Sequence, residues 1–553
     1  MTEQLIRVLV VGAGPTGLTA ALELARHGVE VRIIDRAPEP AVTSRALVVQ
    51  PRTLEIFDDM GVIDEAVAAG NTAAGIAVTF RTAKVRLDFS EVLDGPVNHT
   101  AYPSLRTLSQ NDTERVLTEA LAKRGVEVER GLALTDLSQD GDVVTASVRG
   151  PDGSTETLRC QWLLGCDGAH SAVRKAIGLP FEGSTYSDEF IMADAKLDWD
   201  LPDGDLYAFP GPAGFFAAFA MPGEHRFRIF GNVPRGPDGP SAEYSEPTHE
   251  EFQAMMDERL PFPATVVEEY WVTRYRLHCR SVPRYRDGRV FLAGDSAHVH
   301  SPAGAQGMNT GIQDAYNLAW KLALVVRGLA DEPLLDSYQA ERHPVGVWLL
   351  RTTDRMFSVI SGQSWLSRTI RGKIAPRLAS RVLTRESFRR WFVGLLAQLR
   401  LKYPDSPLNR DQGAGWRDAP KPGDRAREAE VLIDGQRARV HEVLRGTRHT
   451  VLLFTGLDDQ AMPAVELCRI AERIERAYPD LVTARVISAE RFADHPATLA
   501  DPDRTAHRQY DIEQAGAFVV RPDGYIGYRG RPIDAEALLE DLAARLPGAD
   551  VGV

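Results

Sequence analysis

Apolar positions near the start of the chain alternate between continuous runs and a helical spacing. An apolar segment, interrupted only by Arg7, extends from Leu5 to Val11 and is followed by the glycine-rich turn "GAGPTG". Apolar residues then recur at the spacing of an amphipathic helix, at Leu18, Ala21, Leu22 and Ala25. A second apolar run ends at Asp35. Continuous runs of this length are typical of strands buried in a parallel sheet, so the pattern predicts strand, turn, helix and strand in that order.

The turn fills the template G-x-G-x-x-G in the context that a dinucleotide site requires. Its first glycine permits the turn, the second lets the backbone approach a pyrophosphate, and the third lets the helix pack close to the strand. The helix N-terminus offers N–H groups to the diphosphate, and the terminal aspartate can accept hydrogen bonds from ribose hydroxyls. A bare structural turn is the alternative, and the motif does not distinguish NAD from FAD. The predicted binding residues are Gly12, Gly14, Pro15, Thr16, Gly17, Asp35 and Arg36.

Two later segments repeat an apolar run that ends in glycine and aspartate. The segment "WLLGCDGAHSAVRKAIG", residues 162–178, runs from a predicted strand through Asp167 and Gly168 into a helix. Residues 290–293 are apolar and lead into "GDSAHVHSPAGAQGMNTG", where Gly294 and Asp295 stand at the strand end. A helix is predicted to begin near Gly311, with its positive end directed at whatever the loop binds.

Taken together, these three motifs resemble the group A flavin-dependent aromatic hydroxylases, whose FAD domain is discontinuous in sequence. The resemblance covers roughly residues 1 to 400. It implies that the first and third loops hold opposite ends of one FAD. In such enzymes the aspartate that matches Asp295 binds the ribityl chain. Gly307, Met308 and Asn309 match the segment that lies under the isoalloxazine ring, whose N1 and O2 the following helix would face.

The same resemblance assigns further residues to the cofactor. Arg45, in "SRALVVQPRTLEIFDDMGV", matches an arginine beside the flavin, and Gln110 matches a glutamine at the ribityl region. Asp167 and Gly168 match a motif that serves both the FAD pyrophosphate and NADPH. Simpler interpretations stay open: Asp295 as a helix N-cap, and Arg45 and Arg174 as solvated basic side chains.

Residues 181–280 alternate aromatic and polar positions around proline and glycine, which predicts antiparallel strands. Such a sheet over the flavin would provide an apolar lid for a planar substrate. Ordinary sheet core is the alternative interpretation of its aromatic residues. The candidate substrate-lining residues are Tyr207, Phe215, Phe216, Phe219, Met221, Phe230 and, from the third loop, Pro302.

After about residue 405 a polar linker, "YPDSPLNRDQGAGWRDAPKPGDRA", precedes a further pattern of strands and helices. Strands are predicted at "TVLLF" and "TARVIS", a helix around 463–477, and a hairpin at "AFVVRPDGYIGYR". This part resembles the thioredoxin-like C-terminal domain of the larger phenol and aromatic-polyketide hydroxylases. The segment "FTGLDDQ" stands where a redox CxxC would lie, so a structural or dimer-contact role is favoured over disulfide chemistry.

The predicted fold is therefore α/β. A Rossmann-like FAD-binding domain, residues 1–180 and 281–400, is interleaved with an antiparallel-sheet substrate domain, residues 181–280. A thioredoxin-like α/β domain follows at 405–553.

The amino-acid composition argues against several classes of binding partner. The 553 residues carry a formal net charge of −13, which speaks against nucleic acid because phosphate binding draws on clustered Lys and Arg. Four cysteines occur without a CxxC pair or zinc spacing, and the H-x-H of His298 and His300 has no obvious third ligand, so we expect loop side chains and no metal. No apolar run approaches a membrane span and no signal peptide is evident. A cytoplasmic, soluble protein is expected, with a homodimer left open.

The resemblance implies an FAD monooxygenase that hydroxylates a phenolic or polycyclic aromatic of the polyketide type, as in antibiotic biosynthesis. NADPH or NADH would be a transient reductant bound on the surface, and O2 would add at flavin C4a to give the hydroperoxide that the ring attacks. No second nucleotide fingerprint is present, which disfavours disulfide reductases, and no W-x-W motif is present, which disfavours halogenases. A Baeyer–Villiger oxygenase and a non-catalytic flavin-binding protein are the alternatives. No catalytic base is identified.

Overall fold

The structure, a computed structural model, describes residues 5–41, 46–80, 83–93, 100–211, 214–233, 246–301, 304–361, 369, 377, 381, 385–490 and 495–547.

The chain up to residue 180 forms eleven strands and six helices within these ranges. Its strands are β1 Ile6–Val11, β2 Val31–Asp35, β3 Val48–Val49, β4 Asn71–Ala73, β5 Gly75–Phe80, β6 Ala83–Asp88, β7 Leu105–Thr107, β8 Val128–Arg130, β9 Ala133–Asp140, β10 Val143–Arg149 and β11 Thr155–Gly165. Its helices are α1 Pro15–Arg26, α2 Pro51–Asp59, α3 Ile63–Ala69, α4 Phe89–Leu93, α5 Gln110–Ala122 and α6 Ala172–Ala176.

The middle of the chain adds long strands and then long helices. Its strands are β12 Glu182–Asp198, β13 Asp205–Gly211, β14 Gly214–Ala220, β15 Arg226–Val233, β16 Thr265–Ser281, β17 Arg286–Asp287, β18 Val290–Leu292 and β19 His298–Val299. Its helices are α7 His249–Arg259, α8 Gly307–Val326, α9 Asp336–Ser361 and α10 Glu386–Leu396.

The described part of the last third contains eight strands and four helices. The strands are β20 Arg410–Gly413, β21 Glu430–Ile433, β22 Gln436–Arg439, β23 His449–Phe454, β24 Val482–Ser488, β25 Thr498–Ala500, β26 Gly516–Val520 and β27 Ile526–Arg531. The helices are α11 Val440–Leu444, α12 Ala464–Ala477, α13 Thr505–Gln509 and α14 Ala535–Arg545.

The first sheet brings together strands that lie far apart in sequence. Its main path is β17-β18-β11-β1-β2-β8, in which β18, β11, β1, β2 and β8 run parallel. In the register of the central strands, Val11 lies opposite Gly165, and Gly165 lies opposite Leu292. The carboxyl ends of β1, β11 and β18 therefore meet at one edge, which is where ligands bind in open parallel sheets.

The middle sheet is mostly antiparallel, in the order β19-β16-β12-β15-β14-β13-β5-β6. Strands β5 and β6 come from residues 75–88, a segment that the sequence placed with the first part of the FAD domain. In the structure β5 pairs in parallel with β13, so this segment extends the middle sheet. Short strands that pair with distant partners leave no local signal in the sequence.

The C-terminal sheet has the order β20-β27-β26-β23-β24-β25-β21-β22. Strands β23 and β24 are parallel and joined through α12, and β26 and β27 form the antiparallel hairpin. Strand β20 lies in the segment expected to be only a polar linker, and it pairs with β27. The predicted α/β fold is confirmed, but the linker contributes a strand of its own.

Candidate functional site

The glycine loop after β1 shows two kinds of glycine. A Cβ at Gly12 would overlap the carbonyl oxygen of Cys166, and a Cβ at Gly17 would overlap that of Gly12. These two glycines are required by contacts within the protein. At Gly14 an added Cβ would meet no described atom within 4 Å, so this position faces space outside the polypeptide. The difference fits the separate tasks of the three glycines in a dinucleotide fingerprint.

The first and third loops are in direct contact. The hydroxyl oxygen of Thr16 lies 2.6 Å from where a Cβ on Gly294 would be built, and it would overlap a Cβ on Gly311. Gly294 also has φ of +60°, a left-handed conformation that favours glycine. Helices α1 and α8 therefore approach each other closely over three small residues, at the edge where β1 and β18 end.

Helix α8 begins at Gly307 and not near Gly311, which corrects the predicted start. Gly311 lies inside the helix because the contact with Thr16 leaves no room for a side chain. The N-cap residues of α1 and α8, Gly14 and Gln306, make no side-chain cap hydrogen bond, and neither helix has an acidic residue in its first turn. By contrast, Ser109 caps α5. The first turns of α1 and α8 therefore keep a positive end suited to an anionic or electron-rich group.

The loop before α8 is held by a buried amide. Asn309 is fully buried, and its Nδ2 donates to the carbonyl oxygens of Val48 at 2.8 Å and Ala305 at 3.0 Å. Its Oδ1 accepts from the backbone N–H of Gln50 at 2.9 Å, and Gln50 Nε2 donates to Gly304 O at 3.0 Å. The Asn309 side chain thus shapes the loop, which leaves its backbone as the part that can face a bound ring. Ala305 has φ of +52°, a strained conformation of the kind that concentrates at functional sites.

Asp295 is exposed and lies in a 3-10 turn, Gly294–Ser296. The alternative interpretation of Asp295 as a helix N-cap is wrong, since the cap residues of that turn and of α8 are Ala293 and Gln306. Its side chain is therefore placed on the surface of the third loop, beside the contact between the two glycine loops.

A buried acid behind this loop was missed by the sequence analysis. Asp314 in α8 accepts from His298 Nε2 at 2.7 Å, from Arg342 Nε at 2.7 Å and from the backbone N–H of Gly294 at 3.1 Å. Burial alone raises the pKa of Asp314, but Arg342 and His298 outweigh that effect and lower it. Asp314 is one of only two charged residues in the sequence of α8, which was the signal that could have identified it.

The two histidines of the H-x-H segment have different surroundings. His298 lies on β19 rather than in a loop, and its Nε2 is hydrogen-bonded to the Asp314 carboxylate. His300 contacts the carbonyl oxygen of Ser301 through Nδ1 at 2.8 Å, and burial lowers the pKa of its imidazole to about 4. Among the described residues, no group of three or more His, Cys, Asp or Glu side chains is arranged to hold a metal ion.

The loop after β11 uses its aspartate within the protein. Asp167 accepts from the backbone N–H groups of Ala172 at 2.6 Å and Val173 at 3.2 Å, at the start of α6. Gly168 has φ of +80°, and a Cβ there would meet no described atom within 4 Å. The solvated interpretation of Arg174 is wrong, because this residue is 4% exposed. Its guanidinium donates to the carbonyl oxygens of Ser296 and Ala169, which ties the second loop to the third.

Asp35, Arg36 and Gln110 are the other predicted cofactor residues that the structure describes. Asp35 accepts from the backbone N–H groups of Ala13 at 2.6 Å and Ala37 at 2.8 Å, so its carboxylate already closes the first loop. Arg36 is exposed, and Gln110 begins α5, where its amide donates to Glu114 at 2.8 Å. Arg45 and Pro302 lie outside the described residues.

The aromatic residues of the middle sheet divide between its two faces. Phe215 and Phe230 pack together with Phe190, and Phe219 borders this cluster. Tyr207 and Phe216 belong to the opposite face, which packs against α7. These two residues therefore lie on the other face of the sheet from Phe215, and their assignment to a substrate site stays a prediction. Successive side chains of a strand point to opposite faces of the sheet, which is why the adjacent residues Phe215 and Phe216 lie on different faces.

The face that carries Phe215 is the one that lies towards the cofactor loops. Arg228 on this face donates to the carbonyl oxygen of Ala46 at 3.1 Å, and Ala305 packs against the cluster that includes Leu206 and borders Phe219. Met221 is buried at the end of β14. Phe219 thus borders both the aromatic cluster and the cluster against which Ala305, from the loop before α8, packs.

Comparison with known proteins agrees with this arrangement. Residues 6–353 match a family model described as an FAD binding domain. The chain is 38% identical over 552 residues to 6-methylpretetramide 4-monooxygenase of Streptomyces rimosus, covering 97% of this chain and 93% of that protein. It is 33% identical to pentachlorophenol 4-monooxygenase of Sphingobium chlorophenolicum, covering 98% and 96%.

A solved structure shows the same fold over the whole length. The OxyS anhydrotetracycline hydroxylase from Streptomyces rimosus has a TM-score of 0.75 and 31% identity, covering 98% of this chain and 99% of that one. None of the described helices is both long and apolar enough to cross a membrane. The predicted enzyme class is confirmed: the chain belongs to the FAD-binding-domain family and is an FAD-dependent aromatic monooxygenase.

Proposed function

We propose that this enzyme hydroxylates a phenolic, polycyclic aromatic of the polyketide type, with NADPH or NADH as the reductant and O2 as the oxygen source. The observation that carries the proposal is the aromatic wall of Phe190, Phe215 and Phe230, on the sheet face whose Phe219 also borders the cluster that includes Ala305 of the loop before α8. A planar, apolar molecule can lie against such a wall. The relatives that act on a pretetramide and on pentachlorophenol support this substrate class.

The described residues fit FAD at the edge where the three loops meet. We assign the pyrophosphate to the first turn of α1 and the backbone at Gly14, where a Cβ would point into open space. Asp35 and Arg36 would lie at the adenosine end, and Gln110 and Asp295 at the ribityl chain. The backbone of Gly307, Met308 and Asn309 would face the ring, with Arg45 beside it. Gly168 leaves open space at the second loop, where Asp167 holds the backbone.

When bound, FAD supplies the electron transfer from the nicotinamide to O2 that aromatic hydroxylation requires. The protein's part is to orient the substrate and to exclude water. Orientation of a reacting pair can contribute about 7 to 11 kcal/mol towards the barrier. Phe215 and Phe230 would hold the substrate ring, and the N-terminus of α8 would stabilise negative charge near the ring system that it faces.

The nicotinamide would bind transiently near the loops rather than in a domain of its own. Asp167 and Gly168 are the residues that we assign to this contact. A cytoplasmic location supplies the reductant and suits the four cysteines, which are buried thiols. A homodimer formed through the C-terminal domain stays part of the proposal.

Turnover under oxygen-18 gas with a panel of polycyclic phenols tests the function. We expect substrate to accelerate NADPH oxidation and the product to gain one labelled hydroxyl on a ring carbon. Without substrate, slow oxidation should give hydrogen peroxide. A ring-expanded lactone, or a product without label, would contradict hydroxylation.

A further inference from the structure

The C-terminal domain contacts the helices of the FAD-binding part at several places, and one of these is a tight turn that reaches three helices. Residues 521–524 join β26 to β27, and we call them the docking turn. Arg521 and Asp523 in this turn are 2% and 1% exposed, although both carry charge. The turn lies against α2, α8 and α9, which belong to the FAD-binding part of the chain. Buried charges at a contact between domains require partners, and these partners show what the turn holds.

Arg521 forms a fork between two carboxylates. Its Nη1 and Nη2 lie 2.6 and 3.1 Å from the two oxygens of Glu341 in α9. Its Nε and Nη2 lie 3.0 and 2.5 Å from the oxygens of Asp523. Lys321 in α8 donates to Glu341 at 2.7 Å, so two buried cations face two buried anions. Burial alone raises the pKa of Glu341, but Arg521 and Lys321 outweigh it and hold that pKa far below its usual value.

The same turn binds α8 and α2 directly. Asp523 Oδ2 accepts from Asn317 Nδ2 at 3.1 Å, and the carbonyl oxygen of Pro522 accepts from the Tyr316 hydroxyl at 3.2 Å. The carbonyl oxygen of Asp523 accepts from Arg52 Nη2 at 2.6 Å. Arg52 lies at the start of α2, next to Gln50, whose contacts with Asn309 and Gly304 shape the loop before α8.

A second connection runs from the residue after the turn. The ring of Tyr525 packs on Tyr403, with centroids 4.3 Å apart, and the Tyr403 hydroxyl accepts from Arg342 Nη1 at 3.0 Å. Arg342 in turn binds Asp314, which accepts from the backbone N–H of Gly294. Two series of buried side-chain contacts therefore connect the C-terminal domain with the third glycine loop.

We propose that Arg521 and Asp523 are positioning residues for the cofactor loops. By fixing α2, α8 and α9 relative to one another, the docking turn preorganises the backbone at Gly294 and at residues 304–309 for FAD. Neither residue lies at the site itself, so each acts through the helices that it holds. The inference rests on the FAD site proposed above, and it gives the C-terminal domain a role that needs no redox chemistry.

Arg529 provides a matched control within the same domain. It is also buried, at 5% exposed, and its Nε and Nη2 donate to Asp411 at 2.8 and 2.7 Å. Its other hydrogen bonds are to the carbonyl oxygens of Ala419 and Pro420, so all of them stay within the C-terminal domain. Loss of Arg529 should therefore weaken that domain without releasing the docking turn.

The test compares Arg521→Met with Arg529→Met in the full chain. FAD is removed, its Kd is measured from the quenching of flavin fluorescence, and unfolding temperatures are recorded for the apo and loaded proteins. We expect Arg521→Met to bind FAD about 10-fold more weakly, an effect typical of coupling through packed networks, and to shift the visible absorption of bound flavin. Arg529→Met should stay within about 2-fold of the wild type in FAD affinity, because it shares no partner with the site.

Three outcomes are decisive. Equal loss of FAD affinity in both variants, or unchanged affinity in Arg521→Met, would overturn the positioning role. If Arg521→Met does not fold, Asp523→Asn replaces it in the test, because this change keeps the side-chain shape and the pair between Arg521 and Glu341. Unchanged FAD affinity in Asp523→Asn would likewise overturn the positioning role. If the wild-type chain binds no FAD at all, it is the proposed function that fails.

Discussion

Two strand-to-helix junctions in this chain have the same topology and opposite chemistry. The loop after β1 leads into α1, and the loop after β23 leads into α12; in both cases the next strand is parallel to the first. At the first junction, Gly14 faces open space and α1 has no acidic residue in its first turn. At the second, the loop folds back on the protein and α12 carries Glu466 in its first turn.

The second junction uses its own backbone donors. Leu457 N–H donates to Glu513 O at 2.6 Å, and Met462 N–H donates to Thr455 O at 2.8 Å. A Cβ on Gly456 would lie 2.7 Å from the backbone nitrogen of Ala515, so this glycine serves packing within the protein. The comparison shows that the strand-helix-strand arrangement alone does not make a phosphate site. Space beside the glycine and the absence of an acidic residue in the first turn of the helix distinguish the first junction from the second.

The largest effect is expected from Gly17→Val, which tests whether the first junction is as tightly built as the second. A side chain at position 17 would overlap the carbonyl oxygen of Gly12, so α1 and β1 would have to separate. We expect a loss of more than about 4 kcal/mol in the free energy of unfolding, at the extreme of single substitutions. Soluble yield and thermal unfolding followed by circular dichroism measure it. A folded variant with a wild-type unfolding temperature would contradict the close packing.

Glu23→Gln compares the stability contribution of an ion pair near the C-terminal end of α1 with that of a pair near the C-terminal end of α12. Glu23 is buried and pairs with Arg26 at 2.5 Å, whereas Glu475 of α12 pairs with Arg485 near the surface. Removing one partner of a buried pair costs about 3 kcal/mol or more, while Glu475→Gln should cost less than about 1 kcal/mol. Denaturant unfolding of the two variants at neutral pH compares these losses.

The Glu23 effect should also depend on pH. Burial alone raises the pKa of Glu23, but Arg26 and His27 outweigh it and lower the pKa from 4.5 to about 2. The stabilising contribution is thus complete above about pH 4.5 and is lost as the pH falls towards 2. The difference between wild type and Glu23→Gln should shrink over that window, and a constant difference would refute the assignment.

Gly14→Val tests whether the open space at the first junction is where FAD binds. Gly14 has φ of −75° and no described neighbour within 4 Å, so the chain should fold normally. The added side chain would fill the space assigned to the pyrophosphate, and we expect an FAD affinity about 100-fold lower, a free-energy cost in the range of overpacking. Titration of the apo protein with FAD measures this affinity. An unchanged Kd would place the pyrophosphate elsewhere.

The smallest effect is expected from Cys468→Ser in α12. The Cys468 side chain is buried, its Sγ contacts Thr498 Oγ1 at 3.4 Å, and the other cysteines lie outside the C-terminal domain. Without a second thiol to resolve a mixed disulfide, the full chain should not catalyse insulin reduction. Wild type and variant should behave alike. If the wild type reduces insulin and the variant does not, Cys468 at the second junction has a redox role.

The local features of the fold were accessible from the sequence because they depend on neighbouring residues. Apolar runs and glycine spacing located β1, α1, α12 and the hairpin of β26 and β27. The start of α8 was misplaced because Gly311 is set by a contact with Thr16, a residue almost 300 positions away. The roles of Asp314 and Arg174 likewise depend on partners that only the tertiary structure brings together.

The candidate site was accessible mainly through its backbone features. Glycines and helix starts can be recognised in a sequence, and these make up most of the proposed cofactor contacts. The side of the sheet that an aromatic residue faces cannot be recognised as easily, since one residue of register reverses it. Phe215 and Phe216 are adjacent, yet only Phe215 lies on the face towards the cofactor loops.

The contact of Thr16 with Gly294 and Gly311 has a consequence for biosynthesis. About 280 residues separate Gly12 from Gly294, so the first half of the cofactor site leaves the ribosome long before the second. At about 5 to 20 residues per second, this interval is about 15 to 60 s. During that time β11 has no β18 beside it, so one apolar edge of the parallel sheet stays unpaired until residues 290–292 have been made. The cofactor can therefore join only after residues 294–309 have been made, just past the middle of the chain, while the C-terminal domain is still to be synthesised.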